Sequence, residues 1–226
     1  MKISYLVTCC VETHTLKDLL ELVWAAAMSM PQDEVVIVHD GSNNPETLAI
    51  LDEFRGKERV RCLEHQLDHD YGRHKNWATS MCTGDYIFQI DGDELPSEYL
   101  IGENLHQIIE SNPQIELYWV PRVNDFEGVT PSHAAQWGWN ITLSKQTNKP
   151  IVNWPDYQGR IYKNDYPRIR WEKKLHEQIA GANQYAPLPC EDETLSLWHR
   201  KTIEKQVETN LHYNKTFTAA ENRGQG

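Results

Sequence analysis

The chain predicts an α/β fold, a mostly parallel sheet flanked by helices. Three observations predict it. Short apolar runs at 3–7, 34–38 and 85–90 alternate with helical stretches, the rhythm of β-α-β units with right-handed crossovers. Each run is bounded by turn-forming or acidic residues, as strands are. At 226 residues the chain is long enough for one domain with a sizeable core.

The elements follow in order. Residues 3–7 read as a buried strand. A helix over 16–30 carries Leu19, Leu20, Val23 and Ala27 on one face, with Pro31 as its stop. The strand at 34–38 runs into His39-Asp40-Gly41-Ser42. Pro45 opens a helix at its first position, Asn44 caps it, and it ends near Phe54. A short strand at 59–63 precedes a helix over 73–82 that Gly84 closes. The strand at 85–90 follows, and Pro96 starts a helix that ends near Asn112. Another strand spans 115–121. Beyond it the rhythm changes. Residues 124–149 are rich in Gly, Asn, Thr, Ser and Trp and read as long loops with one hairpin. Short strands are expected at 160–162, 169–171 and 195–198, then a helix over 201–216 and a frayed tail at 219–226.

Composition excludes several classes. A formal charge of −11 would repel a phosphate backbone, so nucleic acid is not an expected partner. No stretch approaches the roughly 20 successive apolar residues that span a bilayer. The N-terminal residues lack a signal-peptide pattern. The five cysteines, Cys9, Cys10, Cys62, Cys82 and Cys190, show no C-x-x-C spacing, which predicts reduced thiols in a cytoplasmic protein. His65, His69 and His74 lack cysteine partners and read as solvated loop residues. No G-x-G-x-x-G follows the first strand, which argues against a dehydrogenase.

The strand at 85–90 leads straight into Asp91, Gly92, Asp93 and Glu94. Such carboxylates cannot be buried unpaired, so they belong at the carboxyl end of the strand, where open α/β sheets bind ligands. Their spacing suits a hard divalent cation that also holds phosphates, Mn²⁺ or Mg²⁺. Asp40 ends the second strand, beside the end of the first. Its carboxylate can accept the imide N–H of uracil or thymine, or N1–H of guanine, and would repel cytosine; equally, it can simply start a turn. Eight tryptophans, several of them outside the regular elements, offer either core packing or faces for sugar rings.

The order of these features resembles family 2 glycosyltransferases. The resemblance is carried by Val35-Val36-Ile37-Val38-His39-Asp40-Gly41, by Arg73-His74-Lys75-Asn76-Trp77-Ala78, and by Thr83-Gly84-Asp85 leading to Asp91-Gly92-Asp93-Glu94. It implies the GT-A fold, inversion at the anomeric centre and a divalent metal. It further implies one domain over 1–226, with a nucleotide-sugar half at 1–99, an acceptor half at 100–200 and a C-terminal helix and tail at 201–226. Thr8, Glu12 and Asp40 would hold base and ribose, joined by Asp91, Gly92 and a basic side chain from Arg73 or Lys75. Asp93 would bind the metal, with Asp91 and the late strand-end His199 as further ligands. His39 departs from the pattern, because relatives often carry a second Asp there.

In the second half, Leu175-His176-Glu177 resembles a bacterial and phage branch of the family with a His-Glu pair near the acceptor. There Glu177 would be the general base, with Asp156 as the second candidate; the structural alternative is that Glu177 pairs with Arg160 or Arg170. Trp137, Trp139, Trp154, Trp171 and His176 would line the acceptor groove. The expected function is transfer of a sugar from a UDP-linked donor to a saccharide or glycoconjugate hydroxyl. Two rivals remain: a carbohydrate-binding protein on a decayed scaffold, although its carboxylates are intact, and a sugar-nucleotide nucleotidyltransferase, although the Gly-rich phosphate loop is missing.

Overall fold

A computed structural model describes residues 1–218 and 221. Four parallel strands build its first half: β1 (Ile3–Cys9), β2 (Glu34–His39), β3 (Val60–Glu64) and β4 (Tyr86–Asp91), in the order β3-β2-β1-β4. Every residue of β1 and β2 is buried, since helices cover both faces of the sheet, and this explains the near-continuous apolar runs. Helix α1 (His14–Ser29) buries Leu16, Leu19, Leu20, Val23, Ala26 and Ala27 against one face. Helix α2 (Pro45–Phe54) starts where Asn44 Oδ1 accepts the N–H groups of Glu46 and Thr47, both at 3.0 Å. Helix α3 (Tyr71–Ser80) covers the opposite face with Ala78. In register, Thr8 pairs with Val38 on one side and Asp91 on the other, so the strand ends that carry Thr8, Asp40 and Asp91 meet at one edge.

Three expected boundaries move. Helix α3 begins earlier, because Asp70 accepts the Arg73 N–H at 2.9 Å and caps it there. Gly84 does not close this helix, which ends at Ser80. It lies instead where the chain crosses β1, and a Cβ on it would fall 2.6 Å from Ser4 N. Pro96 does not start a helix either. It ends the short strand β5 (Glu94–Pro96), and helix α4 (Gly102–Glu110) begins only at Gly102.

The second half is mixed. Strand β6 (Leu117–Glu127) runs well past the expected end, and helix α5 (Pro131–Trp137) occupies the presumed loop, begun by Thr130 in a capping box with His133. Strand β7 (Ile141–Leu143) forms a hairpin with the long β8 (Pro150–Lys163). The short β9 (Arg170–Glu172) and β10 (Gln178–Ala180) pair with each other. Strand β11 (Tyr185–Pro187) adds to β6; β12 (Leu197–Thr202) lies parallel to β6 and antiparallel to β5, and leads into α6 (Ile203–Thr216). The main sheet thus continues from β4 as β8-β6-β12-β5, with β8 antiparallel to both β4 and β6. Of the expected tail at 219–226, all but Glu221 lies outside the described residues. Among the described residues no helix is long and apolar enough to cross a membrane.

Gly84 gives a test of this packing. Gly84→Ala forces Ser4 or the crossing strand to shift, and overpacking of this kind costs about 1–3 kcal/mol. The urea midpoint should fall with an unchanged slope; an unaltered midpoint would mean the crossing is looser than described.

Candidate active site

The edge formed by β1, β2 and β4 carries the first group of functional side chains. Thr8 Oγ1 donates to Asp91 Oδ1 at 3.0 Å, and Gln89 Nε2 donates to the same oxygen at 2.9 Å. Gly92 lets the backbone pass close to the end of β1, since a Cβ there would sit 3.0 Å from Cys9 Cβ and 3.2 Å from Glu12 Oε2. Glu12 Oε2 accepts the Cys10 N–H at 2.6 Å. Burial raises the Glu12 pKa, the Cys10 bond opposes that, and the charges of Asp93 and Asp91 add to the rise. Asp40 Oδ1 accepts the Ser42 N–H at 3.0 Å, so this residue does shape a turn. Beside it, burial and the Asp40 carboxylate push the Cys10 thiol up to about 12.

The centre of the site is a chain of ion pairs. Lys75 lies 2.9 Å from Asp91 Oδ1 and 2.6 Å from Glu177 Oε1. Arg160 Nη2 donates to Asp91 Oδ2 and Glu94 Oε1, both at 2.6 Å, and its Nη1 donates to Gln89 Oε1 at 2.6 Å. Arg122 joins Glu94 at 3.3 Å to Asp156 at 2.6 Å. Asp156 Oδ2 also accepts from Asn124, and its Oδ1 from Gln158, both at 2.9 Å. Burial alone would raise the Asp91 pKa, yet Arg160 first and Lys75 next hold it well below the usual carboxylate range. Asp156 is likewise lowered, with burial outweighed by Arg122 and its hydrogen bonds.

Glu177 therefore pairs with neither arginine named for it from the sequence. Arg160 goes to Asp91 and Glu94, and Arg170 to Glu172. The sequence did not show the roles of Glu94, Gln89, Arg122 and Asn124; Glu94 is fully buried, and it is paired with Arg160 and Arg122. One signal was available: Arg160 opens the short strand expected at 160–162, directly before Ile161-Tyr162, and a charge buried in a strand needs partners. Arg73 does not join the site. It is exposed, pairs with Asp68, and lines a separate surface groove of about 860 Å³ with His65, Trp77 and Tyr166. His74 is not a solvated loop residue. It is buried in α3 with Nδ1 3.2 Å from that of His65, and burial lowers its pKa to about 4.

At the far end, His199 Nε2 lies 3.1 Å from Asp93 Oδ2, and His199 Nδ1 lies 2.9 Å from Asn124 Oδ1. Asn124 Nδ2 already donates to Asp156, so its Oδ1 takes the Nδ1–H of His199. The ring is thereby held with Nε2 facing the Asp93 carboxylate. A carboxylate and an imidazole nitrogen that converge, with a hydrogen bond fixing the ring from behind, could together ligate a cation in place of the proton between them. Among the described residues no cluster of three or more His, Cys, Asp or Glu side chains is disposed to hold a metal, so this pair stands with open positions. Asp91 is turned toward Lys75, Arg160, Thr8 and Gln89.

The aromatic residues divide. Trp137 and Trp139 are tilted against each other with ring centres 4.6 Å apart, and Trp139 lies 5.5 Å from Phe126, which meets His199 edge-on. Trp154 packs against a small core of Val123, Ile151 and Trp198. Trp171 is only 4% exposed, with the Lys75 ammonium 4.7 Å from its ring centre, so it supports the cleft from beneath. His176 is exposed, at φ 52°, beside Tyr213.

A parallel first half, acidic strand ends and a mixed second half together make up the GT-A fold. The glycosyl transferase family 2 model matches residues 4–166, and the chain belongs to that family. No curated protein matches the sequence. Among solved structures, S. aureus TarS is similar, with a TM-score of 0.58 and 18% identity over 97% of this chain and 41% of that one. TarS 1–349 in complex with UDP-GlcNAc gives a TM-score of 0.54 at 18% identity, covering 89% of this chain and 59% of that one. The same fragment with UDP gives 0.52 at 17% identity, covering 93% and 63%. The chain thus spans about two fifths of the longer TarS structure.

The ion-pair chain has a stability signature. Arg160→Met leaves Asp91 and Glu94 without their shared cation, and breaking a buried pair costs about 3–5 kcal/mol. Asp91 is depressed in the folded protein, so its stabilising contribution is present above the ordinary carboxylate range and fades as pH falls toward the folded value. Without Arg160 that value rises, and acid unfolding followed by circular dichroism should begin at higher pH than in wild type. Identical acid curves would remove Arg160 from this role.

Proposed function

We propose that the protein is an inverting, metal-dependent glycosyltransferase that moves a sugar from a UDP-linked donor to a hydroxyl of a saccharide or glycoconjugate. One observation carries this reading: the Lys75 ammonium bridges Asp91, at the nucleotide edge of the sheet, and Glu177, on the loop between β9 and β10. A donor-side carboxylate and an acceptor-side carboxylate thereby share one cation. Glu177 is the general base: it takes the proton of the acceptor hydroxyl as that oxygen attacks the anomeric carbon opposite the diphosphate. An α-linked donor then yields a β-linked product. Asp156 is the poorer candidate, because both its oxygens are already held and its pKa is lowered.

Thr8, Glu12, Asp40 and Gly92 form the base and ribose side, and Asp91 orients Thr8 and Lys75 there. The imide argument for Asp40 admits uracil, thymine and guanine and disfavours cytosine, and among these the UDP and UDP-GlcNAc complexes of TarS support UDP. Asp93 and His199 would hold Mn²⁺ or Mg²⁺, which when bound supplies Lewis-acid neutralisation of the diphosphate. Trp137 and Trp139 offer the aromatic surface for the acceptor, with His176 at its edge. The five free cysteines support a reducing, cytoplasmic setting.

Two variants test the assignments. Glu177→Gln keeps size and a hydrogen bond to Lys75 but removes the proton acceptor. Its kcat should fall about 10²- to 10⁴-fold with UDP affinity nearly constant; full activity in a stable variant moves the base to Asp156. Asp93→Asn should melt like wild type yet lose Mn²⁺-dependent turnover and Mn²⁺-enhanced UDP binding in calorimetry. A variant that retains both does not hold the metal through Asp93.

A further inference from the structure

Lys201 is a cleft cation that no carboxylate holds. Strand β12 alternates its side chains, so His199 and Lys201 share one face while Trp198 and Arg200 share the other. The contacts agree: the Arg200 guanidinium lies 5.0 Å from the Trp198 ring centre. Opposite in register stand Asn124 and Phe126 of β6. Asn124 takes His199 Nδ1, and the Lys201 ammonium lies 5.6 Å from the Phe126 ring centre. Lys201 is half-buried and within electrostatic range of Asp93 and Glu94. Lys75, Arg160 and Arg122 each touch two carboxylates. Among the described residues, Lys201 is in salt-bridge contact with none.

From this geometry we infer that Lys201 binds the β-phosphate of the donor diphosphate and stabilises it as it leaves. The inference rests on the transferase reading above. In the transfer, the acceptor oxygen bonds to the anomeric carbon and its proton passes to Glu177. The bond from that carbon to the β-phosphate oxygen breaks, and its electron pair goes to the phosphate. Negative charge therefore grows beside Asp93 and Glu94, which are negative already. A preorganised ammonium without a carboxylate partner, two residues from His199 and on the same face, offsets that growth. Lys75, Arg160 and Arg122 cannot turn to the phosphate without leaving a carboxylate unpaired.

The test compares UDP and UMP, which differ by the β-phosphate. Both are titrated calorimetrically into wild type, Lys201→Gln and Lys201→Arg with Mn²⁺ present, and turnover of the UDP-sugar is measured alongside. Loss of a charged hydrogen bond predicts UDP binding weakened about 10- to 100-fold in Lys201→Gln. UMP binding should stay unchanged, kcat should fall, and Lys201→Arg should recover most of both. Unchanged UDP affinity in Lys201→Gln, or equal losses for UDP and UMP, overturns the role of Lys201 alone. A lowered melting temperature with a loss that Lys201→Arg does not recover also overturns it. A wild type that binds no UDP overturns the transferase reading, and this inference with it.

Discussion

A guanidinium cut off from water organises the cleft. Arg160 is 4% exposed, and its Nη2 reaches Asp91 and Glu94 at the same 2.6 Å. Those carboxylates stand three residues apart where an apolar strand ends, and they repel each other. Glu94 is fully buried and Asp91 half-buried, and the pair needs a cation between them to stay ionised together. That requirement also constrains topology. Strand β8 must run antiparallel beside β4, with Phe88 opposite Ile161, for Arg160 to meet Gln89 and the acidic turn. The antiparallel half of the sheet is therefore joined to the parallel half by charge as well as by backbone hydrogen bonds.

The same chain of charges joins the end of β4 to the loop between β9 and β10. Lys75 sits on α3, and the neighbouring Asn76 clamps the backbone of Trp171, donating to its carbonyl at 2.8 Å and accepting its N–H at 2.9 Å. Tyr71 N donates to Lys174 O at 2.9 Å. One helix thus holds the loop that carries Glu177 through its backbone and Glu177 itself through Lys75. Trp171 lies beneath the ammonium and keeps it from relaxing into solvent. A site assembled this way is preorganised: each side chain is held by a partner that would itself be left uncompensated if the contact broke.

Asp93 differs from the other carboxylates. Among the described residues its ion-pair partner is His199, whose ring Asn124 fixes from behind, and no lysine or arginine is in salt-bridge contact with it. Burial opposes its ionisation, but the His199 interaction outweighs burial and holds its pKa well below the usual carboxylate range. The cleft therefore has a saturated end at Asp91 and Glu94, and an open end at Asp93, His199 and Lys201. The proposed transfer would place its cation and phosphate at the open end.

The parallel half was legible in the sequence because its causes are local. Buried strands read as apolar runs, α1 shows its buried stripe, Asn44-Pro45 marks a helix start, and an apolar strand cannot continue through Asp91 and Asp93. Thr8, Asp40 and Asp91 could be brought to one edge from that pattern alone. The second half was poorly legible because β8 and β6 take their order from long-range pairing, and α5 begins at a polar cap with no buried residue to give it a stripe. The resemblance to family 2 glycosyltransferases, not any local pattern, singled out Asp93, Glu177 and His199 as candidates. Which cation meets which carboxylate was decided by the tertiary structure alone. Arg160 and Asp91 are 69 residues apart in the chain, and Lys75 and Glu177 are 102 apart. Ion pairing depends on distance in space and on burial, and a lysine or arginine carries neither in its own sequence neighbourhood.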